Sequence, residues 1–167
     1  ASVEASIELA HSLEGSGDTE EALAELRAAV QRFPHEARAH YHLGRACARM
    51  GYADEALAAL NTAIERDLSL AEAHFELGQI LEARGELDPA LEAYRSAALT
   101  SGDPTYDAHA GRICLRLGRY EDAVGHLRRA VSRGDAEPEV YAGLGEALRH
   151  RGALEQAMAA YRNAAES

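Results

Sequence analysis

The chain has 167 residues, 28 of them acidic and 17 basic, for a formal charge of −11 and a pI near 5.1. That balance disfavours nucleic acid or an anionic membrane as a general partner, while leaving room for a local basic patch, and no apolar run approaches the roughly 18 to 20 residues that span a bilayer. Hydrophobic residues make up 47%, much of it alanine, with no Trp and with Phe only at Phe33 and Phe75, a composition suited to closely packed helices rather than a thick globular centre.

Taken in order, apolar residues recurring at three and four predict helices over 2–14, 19–31, 37–50, 54–66, 71–84, 88–100, 104–117, 121–133, 138–151 and 155–166. Successive pairs hinge at Gly17, Gly51, Gly85, Gly118 and Gly152, spaced 34, 34, 33 and 34 residues apart. Around each glycine the same columns return. Five residues on stand Ala22, Ala56, Ala90, Ala123 and Ala157, and twelve on stand Ala29, Ala63, Ala97, Ala130 and Ala164. Nine on comes a large residue: Leu26, Leu60, Tyr94, Leu127 or Tyr161. Seven back comes a small one: Ala10, Gly44, Gly78, Gly111 or Gly145. A fixed period of this size is the signature of a repeat architecture. The chain therefore reads as one all-α domain of five helix–turn–helix units, at about 3–36, 37–70, 71–103, 104–137 and 138–167, without strand, linker or second domain.

Each column has a physical reading. Leu43, Gly44 and Cys47 share one stripe of a first helix, where the small residue lets the second helix cross closely. Ala56, Leu57, Leu60, Ala63 and Ile64 make the buried face of a second helix. The hinge glycine is expected at positive φ, where a Cβ is penalised. Asp54 and Asp88 stand where N-caps belong, with Pro89 at the first helical position, and Glu20, Glu121 and Glu155 continue the acids in the other copies. Pro34, Pro104 and Pro138 lie near the joins between units. The main irregularity is the residue missing around Thr100 to Pro104.

Catalytic and metal chemistry find little footing. No glycine-rich phosphate loop follows a strand, no GxSxG or HExxH occurs, and no nucleophile stands beside a placed base. No catalytic residue, cofactor or metal is expected. His40 and His42 point apart on a helix, and Cys47 and Cys114 fall in a core column, as small hydrophobes rather than reactive thiols or a disulfide pair. Two buried thiols and a start without signal-peptide order suggest the cytoplasm, with the mature form of an exported protein as the alternative. The abundance of Ala, Arg and Gly suggests a GC-rich bacterial source.

The repeating unit resembles the tetratricopeptide repeat (TPR), whose pattern runs aromatic, Leu-Gly, Tyr, Gly, Ala, large, Ala, Pro. Leu43-Gly44, Leu77-Gly78 and Leu144-Gly145 keep it, as do the turn glycines and both alanine columns. The first aromatic is lost to Ser6, His40, His74 and Asp107 and survives only as Tyr141, while Leu68 and Gly102 replace the closing Pro kept at Pro34. The resemblance spans essentially the whole chain. It implies a right-handed α-α superhelix of about ten antiparallel helices, serving as a scaffold for protein partners.

In that family the first helices line a concave groove that receives a peptide, loop or helix. Carried over by position, the groove would hold Tyr41, His42, Arg45, Arg49, Phe75, Gln79, His109, Arg112 and Arg116. Two units match here, His42-Arg45-Arg49 and His109-Arg112-Arg116, each spaced so that the three side chains share one helix face. Arginine binds carboxylates in bidentate fashion, so with Tyr41 and Phe75 the groove would take an acidic or mixed acidic and apolar segment. The competing reading is a solvated face, with the arginines paired to Glu76, Glu82 and neighbouring acids. The lysine and asparagine by which some TPR domains clamp a C-terminal carboxylate are absent from the corresponding columns. A further expectation concerns the last helix, where Met158, Tyr161 and Ala165 would be partly uncovered, either because the chain is cut from a longer protein or because its ends meet other copies as a homo-oligomer.

Overall fold

The computed structural model describes residues 2–134 and 137–167. Among them are ten α-helices and no strand: α1 (Val3–Ser16), α2 (Thr19–Arg32), α3 (Ala37–Arg49), α4 (Ala53–Arg66), α5 (Ala71–Ala83), α6 (Leu87–Thr100), α7 (Pro104–Arg116), α8 (Tyr120–Ser132), α9 (Pro138–His150) and α10 (Leu154–Glu166). Every helix lies within two residues of its expected bounds. The join between the fourth and fifth repeats passes through 135 and 136, outside the described residues. The chain divides into two compact units, Ala1–Ile80 and Leu81–Ser167, with the boundary inside α5.

The turn inside a repeat is closed by backbone alone. Gly51 has φ +83°, the left-handed region that a Cβ disfavours. Its N–H donates to the Ala48 carbonyl at 3.1 Å, and the N–H of Tyr52 reaches back to the Cys47 carbonyl at 2.9 Å, which occupies two of the carbonyls left open at the end of α3. Gly17, Gly85, Gly118 and Gly152 have the same sign of φ.

This turn corrects the expected caps. The residue after the glycine already stands at the N-cap, Tyr52 for α4 and Glu86 for α6, and neither side chain caps the helix. Asp54 and Asp88 are therefore the second helical residues and Pro89 the third. The backbone turn starts the helix before the acid is reached, so these carboxylates act on the helix dipole instead. Side-chain caps occur at Ser2, whose Oγ accepts from Ala5 N–H at 3.2 Å, and at Asp103, whose Oδ1 accepts from Thr105 N–H at 2.9 Å. Pro104 and Pro138 open α7 and α9, where a missing N–H is harmless.

Packing within a repeat follows the columns. Gly44 and Cys47 of α3 and Ala56, Leu60 and Ala63 of α4 are buried, with Leu57 and Ile64 at the margin. The small column is required by contact: a Cβ on Gly44 would stand 2.7 Å from Leu60 Cγ, and one on Gly111 would stand 2.6 Å from Leu127 Cγ. Cys47 and Cys114 are free, buried thiols, and burial pushes each up to about 11. Both stay protonated at neutral pH and behave as core residues.

Candidate partner-binding face

The first helices carry the polar side chains singled out above. In the first unit His42 is buried rather than presented, with its ring edge-on to His11 of α1 and to Tyr41. Arg45 donates to His11 Nε2 at 3.2 Å, so that nitrogen is unprotonated and His42 Nδ1 donates to it, also at 3.2 Å. Burial holds the His42 imidazole down at about 4, helped by the positive charge of Arg45 and by His11. The Arg45 guanidinium also lies 5.9 Å from the Tyr41 ring centroid, a cation–π contact. Arg49 donates to Glu14 at 2.7 Å. Phe75 is half-buried and Gln79 exposed on α5. Glu76 of the same helix is raised by burial, against the pull of Arg45 and Arg49.

The second unit repeats the arrangement around one carboxylate. Glu82 accepts from Arg116 at 2.8 Å, from Arg112 at 3.2 Å and from the Tyr94 hydroxyl at 2.8 Å. Burial raises Glu82, but these three donors outweigh it and hold the carboxyl below its ordinary range. His109 accepts from Arg112 at 2.9 Å and stands 5.0 Å from the Tyr94 ring. The pairing with Glu82 foreseen in the solvated reading is thus present. The guanidiniums nevertheless keep much of their surface: the side chains of Arg49, Arg112 and Arg116 are 57%, 52% and 45% exposed. The acid partners are less exposed, Glu14 at 15% and Glu82 at 17%, so an incoming carboxylate would meet the solvent-facing N–H groups of these guanidiniums rather than displace the acids.

The lost aromatics have two substitutes. His40 and His74 hydrogen-bond through Nε2 to the carbonyls of Pro34 and Leu68, each six residues back, at 3.0 and 3.2 Å, tying the helix to the join before it. Asp107 of α7 is completely buried and gathers the end of α8. Its Oδ1 accepts from His126 Nδ1 at 2.8 Å and from Arg129 Nε and Nη2 at 3.1 and 3.0 Å, and its Oδ2 accepts from Arg133 Nη1 at 2.8 Å. Burial raises this carboxyl, but the bonds from His126 and Arg129 prevail and lower it. Sequence reasoning passed over this cluster, treating Asp107 only as a missing aromatic. A carboxylate in a core column demands cations on the facing helix, and that demand was the available signal. Among the described residues, no group of three or more His, Cys, Asp or Glu could hold a metal ion.

On α10, Leu154, Met158 and Tyr161 are 61%, 55% and 39% exposed and fall four and three residues apart on one stripe, with Ala165 exposed beyond them. Tyr161 is anchored at its other edge, since a Cβ on Gly145 would stand 2.8 Å from Tyr161 Cε1. Among the described residues no helix is long and apolar enough to cross a membrane.

No curated protein matches the chain in sequence. Solved structures match its fold. A MamA crystal structure aligns with a TM-score of 0.85 at 19% identity over 94% of this chain and 92% of that one. YrrB, described as a TPR protein with an unusual peptide-binding site, aligns at 0.81 with 18% identity over 96% and 84%. PilF of Pseudomonas aeruginosa aligns at 0.80 with 20% identity over 98% and 75%. The tetratricopeptide repeat family model matches residues 7–67, 49–104 and 110–167. With that match covering most of its length, and with the glycine, alanine and small-residue columns explained by contact, the chain belongs to the tetratricopeptide repeat family.

Proposed function

We propose that the protein is a binding scaffold whose first helices receive a segment of a protein partner carrying acidic and apolar residues. The observation that carries this reading is the matched pair of arginine faces, Arg45 with Arg49 in one unit and Arg112 with Arg116 in the other. Their guanidiniums reach solvent, and in the first unit they stand on a helix that also carries Tyr41. Stacking does not demand these residues in every copy: the buried columns recur in every repeat, whereas this arginine pattern occurs only twice. The description of YrrB as a peptide-binding TPR protein supports the same use of the fold. Arginine supplies bidentate contacts to carboxylates, and the ring of Tyr41 supplies an apolar neighbour. A peptide library screened on the protein at low salt should enrich sequences with Asp or Glu beside aromatic or aliphatic residues. Affinity for them should fall as salt is raised and drop at least tenfold in the double charge reversal Arg45→Glu/Arg112→Glu. Peptides bound equally by wild type and double variant would refute this reading.

A second reading rests on the apolar stripe of Leu154, Met158 and Tyr161. An uncovered stripe on an amphipathic helix favours association with another copy through α10. Light scattering over a concentration series should then show a rising mass, and Met158→Glu should hold the protein monomeric. A strict monomer at high concentration would dismiss it.

A further inference from the structure

A cavity of about 550 Å³ lies between α6 and α8, and its lining shares no residue with the arginine faces described above. Asp107, His126, Arg129 and Arg133 line it, with Arg95 and Leu99 of α6. Its volume falls within the roughly 300 to 1,000 Å³ of small-ligand sites.

Four observations point to what it holds. The first is space. Asp107 occupies the column where the repeat pattern has an aromatic, as Tyr141 does in the next copy. A carboxylate is far shorter than such a ring and leaves volume above it. The second is charge. Among the described residues that line the cavity, the cations Arg95, Arg129 and Arg133 stand with two carboxylates, Asp107 and Glu92, the latter pairing with Arg95 at 3.2 Å, so guanidiniums outnumber carboxylates in the lining. The third is crowding. His126 Nδ1 carries the proton it donates to Asp107, yet Arg129 Nη2 stands 2.7 Å from that same nitrogen, so two donors press together over one carboxylate oxygen. A guanidinium has more N–H groups than its share of one carboxylate can occupy, and a second acceptor would relieve the contact.

The fourth observation is that stacking does not require the arrangement. The positions equivalent to His126 are Glu25, Ala59, Ala93 and Ala160, and those equivalent to Arg129 are Ala28, Thr62, Ser96 and Asn163. The constellation occurs once, in the unit around Gly118. At the mouth, Leu99 is 88% exposed, an apolar side chain beside a cationic recess.

We propose that this cavity is an oxyanion site for a small organic anion, whose carboxylate or phosphate head bridges Arg129 and Arg133 above Asp107 while its apolar part lies along Leu99. Arg95 supplies a further cation at the rim. Asp107 is a positioning residue: it orients both guanidiniums and leaves their remaining donors to the ligand.

Calorimetric titration and side-chain NMR of the arginine Nε–H signals test this with inorganic phosphate, hexanoate and hexyl phosphate as probes. Saturable binding of at least one probe is expected, with the largest shifts at Arg129 and Arg133. Hexyl phosphate binding more tightly than inorganic phosphate would identify the Leu99 contact, and Leu99→Ala should remove that difference. Arg133→Gln should weaken binding at least tenfold and Arg95→Gln several-fold, while Arg27→Gln, paired with Glu55 in the first unit, should leave it unchanged. Arg95 lies outside the Asp107 network, so Arg95→Gln keeps the test decisive if Arg133→Gln disturbs folding. Absence of saturable binding by all three probes would overturn the proposal, as would binding equally indifferent to Arg95→Gln and Arg133→Gln.

Discussion

Gly44→Val is expected to destabilise the protein by about 3 kcal/mol or more, and Gly44→Ala by about 1 to 3 kcal/mol. The sign of the alanine change is the informative part. In an ordinary helix interior, replacing glycine by alanine stabilises by roughly 1 kcal/mol, because the backbone has less freedom to lose. Here the added Cβ would stand 2.7 Å from Leu60 Cγ, 3.0 Å from its Cδ2 and 3.2 Å from the Ala56 carbonyl oxygen. A leucine Cγ is not the mobile end of a side chain, and both Leu60 and Ala56 are fully buried. The two helices must therefore move apart, and close-packed cores resist that. Urea denaturation should show the loss, and in the double variant Gly44→Ala/Leu60→Ala the total loss should be smaller than the sum of the two single losses, since removing the Leu60 side chain vacates the space the new Cβ invades. Gly15→Ala is the control: nothing lies within 4 Å of its Cβ position, so it should be neutral or stabilising. A Gly44→Ala protein as stable as wild type would show that helix crossing does not depend on the small column.

The same contact explains why so much of the fold was legible. A residue whose Cβ collides with the next helix must be small in every copy, so Gly44, Gly111 and Gly145 announce the crossing points at a fixed period. The turn glycines do likewise through their positive φ. Helix starts were less legible. Asp54 and Asp88 have the chemistry of caps, but the cap position is set by the closing bond from Tyr52 N–H to Cys47, which periodicity does not report.

The candidate site was legible in part for a related reason. Arg45, Arg49, Arg112 and Arg116 share helix faces, and face-sharing is a local property of spacing. Whether a face residue reaches solvent depends on its neighbours. His42 lies on the same face as Arg45, yet His11 of α1 covers it. The Asp107 cluster was hidden because its members come from two helices and lie 19 to 26 residues apart, so no local pattern connects them. Departures from the repeat are the positions free to differ between copies, since a position that stacking constrains has no freedom to recognise anything else.

His42 provides the second large effect, as a loss of stability in mild acid. Its imidazole is held at about 4, against an ordinary 6.5, first by burial and then by Arg45 and His11. In the unfolded chain it titrates near 6.5, so between these values the unfolded state binds the extra proton and the folded state does not. The folded-state advantage is therefore fully present above pH 6.5 and is lost as the pH falls toward 4. At about 1.4 kcal/mol for each pH unit, that amounts to roughly 3 kcal/mol over the window. Protonation would place a cation beside Arg45 and Arg38 in a dry site, and among the described residues no carboxylate contributes to holding that charge. Carboxylates also titrate in the lower part of this range, so the readout is the difference between proteins. Urea denaturation at pH 7 and pH 4.5 should show a markedly smaller drop for His42→Asn, whose amide can donate to His11 in place of Nδ1 but carries no titratable proton. An equal drop in the two proteins would mean that the acid sensitivity lies elsewhere.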